Sequence, residues 1–541
     1  METVQGRTVS DGIAIGRIFY YRHIRMTAVR HDDADVREEL LRYEEAKIRA
    51  SSQLRELFEK ASKEAGAENA AIFKAHQALL EDEAYGNFII DRIRGEKVNA
   101  EYAAALAGEY FERLLSGLED EDTRERAADV RDVTERLLRI LSSQMEEEPL
   151  LPEEPVIVMA GDLSPSETIR FDRSRLLGFL TEQGSLNCHM AILARSMSLP
   201  ALTAITPQEE WDGKMVILDG QTGTLYVDPD SRTMERMKRK KEQLEQEHRE
   251  LLSLIHAKDE TADGTRVKLY ANIGNVADAK EALSYHAAGI GLFRSEFLYL
   301  GREDYPSEEE QFQAYRQVAE QLDGKEVIIR TLDIGADKQA EYFGLGEESN
   351  PALGFRAIRI CLMRPEILKT QMRAIYRASA YGRISVMFPM IASLWEVQEA
   401  KRIAGEVRDE LNKEGVPMGQ VAFGIMIETP AAAVMSDVLA REAEFFSIGT
   451  NDLLQYTLAV DRQNEKLEPF YDARHPAVLR LIEQTVKNAH AAGCTVGICG
   501  EMGADPELTE TFLRMGVDEL SVSPSALLKV RQRIREIRLD K

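Results

Sequence analysis

Two groups of residues in this 541-residue chain have types and spacings suited to chemistry. The first is His189, in the stretch Gly184-Ser-Leu-Asn-Cys-His-Met-Ala-Ile-Leu-Ala-Arg-Ser-Met-Ser-Leu-Pro-Ala201. A turn-rich run there delivers an imidazole to the start of a segment with helical apolar spacing. Ile192, Leu193 and Met197 supply the face such a helix would bury, and that face does not need a histidine in its first turn. A helix N-terminus concentrates unpaired N–H groups and positive potential, so an anion carried on the ring would be stabilised there. Phosphohistidine is the natural candidate, and the plain alternative is a histidine that only caps the helix.

The second group follows a series of β-like runs. Arg294-Ser-Glu296 comes after one, Arg330-Thr-Leu-Asp333-Ile-Gly-Ala-Asp-Lys338 after another, then Glu428-Thr-Pro, Gly449-Thr-Asn451-Asp452 and Cys499-Gly-Glu501, with Arg356 and Arg462 in loops between. Arginines bind phosphate and carboxylate through paired N–H groups, and Lys338 would add a compact positive charge. Glu428 and Asp452 are hard oxygen donors of the kind Mg²⁺ takes when a phosphorylated substrate completes its shell. Cys499 has two readings: ordinary buried packing, or a thiol that delivers a proton to a carbanion or enolate.

These residues need a scaffold that brings strand ends together. Eight β-like runs alternate with helical ones after residue 261: Lys268–Asn272, Ile290–Phe293, Val327–Thr331, Ser385–Pro389, Phe423–Ile427, Phe445–Ile448, Thr495–Cys499 and Leu520–Ser523. Eight βα units in about 280 residues predict a TIM barrel with its chemistry at the C-terminal strand ends. Upstream, Ile13–Tyr21 and short runs such as Pro155-Val-Ile-Val-Met predict a small α/β domain. The intervening stretch, rich in Glu, Ala, Leu and Arg with helical apolar spacing, as in Leu40, Leu41, Tyr43, Ile48 and Leu54, predicts a helical bundle inserted into it. A nearly all-round polar segment after residue 231 predicts a helix bridging domains. The expected fold is multidomain α/β: residues 1–25 and 146–230 a small α/β domain carrying the histidine, 26–145 the inserted all-α bundle, 231–260 a linker helix and 261–541 a (β/α)8 TIM barrel.

Composition narrows the class of function. Hydrophobic content of 44% with 30% charged residues describes a soluble globular protein. No run approaches the roughly 18 apolar residues a membrane span needs, and four irregularly spaced cysteines form no disulfide framework or zinc motif, so a cytoplasmic location is expected. The formal charge of −25 argues against generic nucleic-acid binding and fits a basic protein partner, although charge alone is explained better by the solubility it gives.

The motifs then carry a resemblance along the whole chain. Gly289-Ile-Gly-Leu-Phe-Arg-Ser-Glu-Phe-Leu, Arg330-Thr-Leu-Asp-Ile-Gly-Ala-Asp-Lys, Asn350-Pro-Ala-Leu-Gly-Phe-Arg-Ala-Ile-Arg, Phe388-Pro-Met-Ile, Gly424-Ile-Met-Ile-Glu-Thr-Pro, Ser447-Ile-Gly-Thr-Asn-Asp-Leu and Gly497-Ile-Cys-Gly-Glu-Met resemble the phosphoenolpyruvate-binding barrel of the Enzyme I family. That family comprises the phosphoenolpyruvate–protein phosphotransferases of bacterial sugar phosphotransferase systems. The resemblance implies that Arg294, Arg330 and Lys338 hold the phosphoryl group, with Arg356 adding positive charge. It implies that Asn451 and Arg462 hold the substrate carboxylate, that Glu428 and Asp452 bind Mg²⁺, and that Cys499 protonates the enolate.

His189 would be the phosphoryl acceptor, and Thr168, in Asp162-Leu-Ser-Pro-Ser-Glu-Thr168, a hydrogen-bond partner of its ring. Ala71, Ile72, His76, Leu79, Asp82 and Glu83 resemble the face that docks the phosphocarrier HPr, and a homodimer through the barrel is implied. One stretch departs from the family. Gly-Gly-x-Thr-Ser-His is usual, whereas this chain has Gly184-Ser-Leu-Asn-Cys-His189. The related pyruvate phosphate dikinases and phosphoenolpyruvate synthases share the barrel and the histidine domain but carry a nucleotide-binding domain, and no Gly-rich phosphate loop occurs here. A regulatory paralogue that keeps the fold is the other alternative.

Overall fold

The computed structural model describes residues 1–22, 28–64, 67–116, 121–142, 151–168, 171–182, 189–197, 199–335, 340–346, 348–462 and 464–540; the side chains of Ala71, His189 and a few other helical residues lie outside that description. Lys338, Asn187 and Cys188 also lie outside it. The chain forms two compact units, Met1–Glu247 and His248–Lys541. Among the described residues, no helix is long and apolar enough to cross a membrane.

The first unit is built on an eight-stranded sheet: β1 Glu2–Gln5, β2 Arg7–Ser10, β3 Ile13–Tyr20, β4 Val156–Ala160, β5 Leu176–Thr181, β6 Ala201–Thr203, β7 Met215–Asp219 and β8 Thr224–Val227, in the order β1-β8-β7-β3-β4-β5-β6-β2. Strands β3, β4, β5 and β6 are parallel neighbours. The central strand β4 is buried along its whole length, as the run Val-Ile-Val-Met-Ala requires of a strand covered on both faces. Its side chains alternate. Val156, Val158 and Ala160 join the cluster containing Met190, Ala191 and Ala194, and Ile157 and Met159 join the one around Trp211. The edge strands β1 and β2 were not legible as strands, because Glu2–Gln5 and Arg7–Ser10 are short and mostly exposed at their outer ends and carry no apolar alternation.

Between β3 and β4 the described residues form five helices: α1 Val36–Glu64, α2 Ala67–Glu81, α3 Glu83–Glu96, α4 Ala100–Ser116 and α5 Glu121–Leu141. Tyr43, Ala46, Ala50 and Leu54 lie three or four apart and form the buried stripe of α1. Asp82 starts α3 by accepting the Tyr85 N–H at 2.9 Å. The bundle is tied to the sheet through the short helix α6, Pro165–Thr168. Arg136 of α5 donates to Ser166 Oγ at 2.8 Å, and the Tyr21 hydroxyl at the end of β3 donates to Glu167 at 2.8 Å.

Helix α7, His189–Ser196, follows β5 and lays Met190, Ala191 and Ala194 on the sheet, so His189 stands at its first position. After β8 comes α8, Ser231–Ser253. It is less uniformly polar than its sequence predicts. Met234, Met237 and Leu244 form a narrow stripe against Ile13 and Ile217, and Lys240 pairs with Asp219 at 2.7 Å.

The second unit is a closed barrel of eight parallel strands: β9 Lys268–Ile273, β10 Ile290–Arg294, β11 Val327–Arg330, β12 Ile384–Phe388, β13 Ala422–Ile427, β14 Phe445–Ile448, β15 Thr495–Ile498 and β16 Glu519–Val522. Each of the eight expected runs carries one strand. Along the strands, Ile329, Val386, Ile427, Ile448 and Ile498 point outward to the helices. Leu292, Ile328, Met387, Met426, Phe445 and Cys499 pack together on the other face, inside the barrel. This alternation aims the residues at and just beyond the strand ends into one mouth.

Candidate active site at the barrel mouth

Arg330 closes β11 and is 6% exposed. Its guanidinium bonds Glu296 Oε1 at 2.7 Å and Asp333 Oδ2 at 3.0 Å, while the other Asp333 oxygen takes Arg356 Nη2 at 2.9 Å. One buried carboxylate therefore joins two buried guanidiniums. Burial opposes the charge on both arginines, but the neighbouring carboxylates more than offset it, and both pKa values lie above the ordinary arginine range. Gly335, at φ +115°, lies against the Arg356 Cα and Cβ and leaves no room for a side chain of its own.

Glu428, one residue past β13, is 1% exposed and accepts the Met390 N–H. Burial, and then the negative charges of Asp452 and Asp333, push its pKa up to about 8. A carboxyl held among like charges is a site that gains from a cation. Glu428 and Asp452 could together hold a divalent ion. Among the described residues no group of three or more His, Cys, Asp or Glu could hold a metal ion.

Cys499, one residue past β15, is 3% exposed, and its thiol faces the Ile448 carbonyl at 3.6 Å. Burial pushes its pKa up to about 11, so the group carries its proton at neutral pH. Gly500 follows because the helix Thr450–Leu458 starts against it; a Cβ there would lie 2.7 Å from the Thr450 backbone nitrogen. Asn451 in the first turn of that helix exchanges hydrogen bonds with Glu501, its Nδ2 donating to Oε1 and its Oδ1 accepting the Glu501 N–H, both at 3.0 Å.

A cavity of about 720 Å³ opens beside these groups, lined by Asn350, Arg356, Asp452, Gln455, Tyr456 and Arg462 among others. Arg294 ends β10 exposed. Among the described residues, the buried atoms Arg330 Nε, Arg356 Nε, Thr331 Oγ1, Ser447 Oγ and Thr450 Oγ1 have no hydrogen-bond partner. Buried polar atoms are seldom left so, and their concentration at strand ends marks a place that a polar ligand or water fills. The arrangement can bind a phosphorylated carboxylic acid beside a divalent ion and supply one proton.

In the first unit, Thr168 ends α6 buried and donates to the Ser164 carbonyl at 3.1 Å; its expected contact with the His189 ring lies outside the described residues. Of the expected docking residues, Asp82 and Glu83 are exposed and Ile72 and Leu79 half-buried. His76 departs from expectation. It is fully buried, with Nε2 3.0 Å from Asp129, so it cannot itself touch a partner. Its position explains this, because Phe73, His76 and Leu80 share the inward stripe of α2 at helical spacing.

Glu296 and Asp333, which orient Arg330 and Arg356, were not singled out from the sequence. The signal was the recurrence of an acid two or three residues after an arginine, but the Glu296 pairing runs to a different strand end and needs the fold to be seen.

The three parts of the chain match the family of PEP-utilising enzymes: residues 5–126 its N-terminal part, 152–223 its mobile domain and 248–539 its PEP-binding domain. The chain thus belongs to the PEP-utilising enzymes. It is 42% identical to the phosphoenolpyruvate-protein phosphotransferases of Bacillus sp. (strain S) and Priestia megaterium, over 99% of its own length and 93% and 94% of theirs. The enzyme of Geobacillus stearothermophilus is likewise 42% identical over 99% of this chain and 93% of its own. Within that class, the chain is a member of the phosphoenolpyruvate-protein phosphotransferase family.

Proposed function

We propose that this enzyme moves the phosphoryl group of phosphoenolpyruvate onto His189 and then to a histidine of the phosphocarrier HPr, releasing pyruvate, as the first step of phosphotransferase-system sugar uptake. The observation that carries this reading is the barrel mouth, where two carboxylate-locked arginines, a carboxyl poised for a cation and a proton-retaining thiol converge. Arg294, Arg330, Arg356 and Lys338 would face the phosphoryl oxygens, and Asn451 and Arg462 the substrate carboxylate. Glu428 and Asp452 would hold Mg²⁺, which when bound neutralises charge on the phosphoryl oxygens.

A neutral His189 nitrogen attacks phosphorus in line with the departing enolate oxygen. The P–O bond breaks as the N–P bond forms, and Cys499 gives its proton to the terminal carbon of the enolate, completing pyruvate. The new phosphohistidine lies at the first position of α7, where the helix N-terminus favours its negative charge. One histidine cannot serve the donor site and a second protein at the same time, so domain motion belongs to the cycle. Exposed Asp82 and Glu83, in a chain of charge −25, suit a basic face on HPr. The same reading includes a cytoplasmic location and a homodimer formed through the barrel.

The test is transfer of labelled phosphate from phosphoenolpyruvate to purified HPr in the presence of Mg²⁺. One pyruvate per phosphate transferred is expected, and pyruvate formed without labelled HPr would overturn the reading.

A further inference from the structure

Inside the barrel, Phe445 and Ser447 alternate with the outward-facing Phe446 and Ile448 on β14, and Gly497 of β15 and Cys499 just past its end alternate with Val496 and Ile498. The parallel register sets Ser447 opposite Gly497 and Ile448 opposite Ile498, and the Cys499 N–H donates to the Ile448 carbonyl at 3.1 Å. Ser447 and Cys499 are therefore inward neighbours at the top of the barrel. The Ser447 hydroxyl is 2% exposed and has no hydrogen-bond partner among the described residues. Gly497 puts no side chain between the two.

The Cys499 thiol makes a long contact to Ile448 O. Once its proton leaves, sulfur becomes an anion facing a carbonyl oxygen, an arrangement that repels unless another group turns a hydrogen toward it. The Ser447 hydroxyl, an inward neighbour from the facing strand, can rotate to do so, and its proximity favours the thiolate.

We propose that Ser447 is a positioning residue for proton delivery, donating a hydrogen bond to the Cys499 sulfur as the thiol gives its proton to the enolate. This rests on the reading of Cys499 as the donor. The S–H bond breaks and a C–H bond forms, the electron pair stays on sulfur, Ser447 keeps its own proton, and water at the open mouth reprotonates the sulfur before the next turnover. A serine that merely filled a small space in the barrel would tolerate Ala without effect.

The experiment is single-turnover pyruvate formation by the full-length protein with phosphoenolpyruvate and Mg²⁺, in water and in deuterium oxide, using Ser447→Ala, Ser447→Thr, Cys499→Ala and the double Ala variant. Losing a hydrogen bond to a charged group should slow Ser447→Ala by about ten- to a hundredfold. Half-saturation by phosphoenolpyruvate should stay within about twofold, the solvent isotope effect should rise, and Ser447→Thr should recover most of the rate. In the Cys499→Ala background the added Ser447→Ala change should have little effect, because the sulfur it serves is gone. A wild-type rate in Ser447→Ala, or an equal loss with and without the thiol, would overturn the proposal while leaving Cys499 as donor. A wild-type rate in Cys499→Ala would instead remove the donor reading itself.

Discussion

Replacing His189 with Ala is expected to abolish acid-labile labelling of the protein by phosphoenolpyruvate while leaving phosphoenolpyruvate binding at the barrel unchanged. The loss should be complete within detection, because Ala offers no nucleophile and proper positioning of the remaining groups cannot create an N–P bond. Donor recognition should survive because Arg330, Arg356, Glu428 and Asp452 belong to the unit His248–Lys541, which has its own apolar core. Calorimetry with phosphoenolpyruvate and Mg²⁺ checks the second half, and histidine-linked label in the variant would contradict the first.

The second large effect concerns Glu428, and it has two opposite signs. If Glu428 holds the cation as proposed, Glu428→Gln should lower pyruvate formation by about a thousandfold, a loss of several kcal/mol of charge stabilisation. The same change should stabilise the metal-free fold. Burial and the adjacent Asp452 and Asp333 raise the folded-state pKa of Glu428 to about 8, above its ordinary value of 4.5. Between those two values the folded chain keeps a proton that the unfolded chain has lost, so wild-type stability falls as pH rises through this window, by up to about 1.4 kcal/mol per pH unit for one proton. Below pH 4.5 the penalty is absent. Thermal melting in chelator should therefore show Glu428→Gln above wild type at pH 8, with the gap closing toward pH 4.5. A gap that widened as pH fell would mean the carboxyl is stabilised, not strained, by its neighbours.

Part of the site was legible in the chain. The barrel was, because each strand is a short apolar run bounded by turn residues and because polar or charged groups suited to chemistry stand at or shortly after the ends of five of the eight runs. Arg294 and Arg330 stood out for that reason, whereas Glu296 and Asp333 read as routine acids until the fold carried Glu296 to Arg330 and set Asp333 between two guanidiniums. His76 shows the reverse failure. A histidine among exposed acids looks like surface, yet its spacing from Phe73 and Leu80 puts it inside, where Asp129 makes the burial tolerable. Strands β1 and β2 were invisible because edge strands need no buried face, and the stripe of Met234, Met237 and Leu244 in α8 was hidden by the charged residues around it.

The central claim is that the phosphoryl donor site and the phosphoryl acceptor lie on different units of the chain. Cutting between Glu247 and His248 separates them, and each piece keeps its own core. The decisive measurement is labelling of the separated fragments, with phosphoenolpyruvate and with phosphorylated HPr as alternative donors. Fragment 1–247 should accept phosphate from phosphorylated HPr and take none from phosphoenolpyruvate, while fragment 248–541 should bind phosphoenolpyruvate with Mg²⁺ and carry no label. Direct labelling of 1–247 by phosphoenolpyruvate, with no barrel present, would contradict the account, because the donor site would then have to lie beside His189.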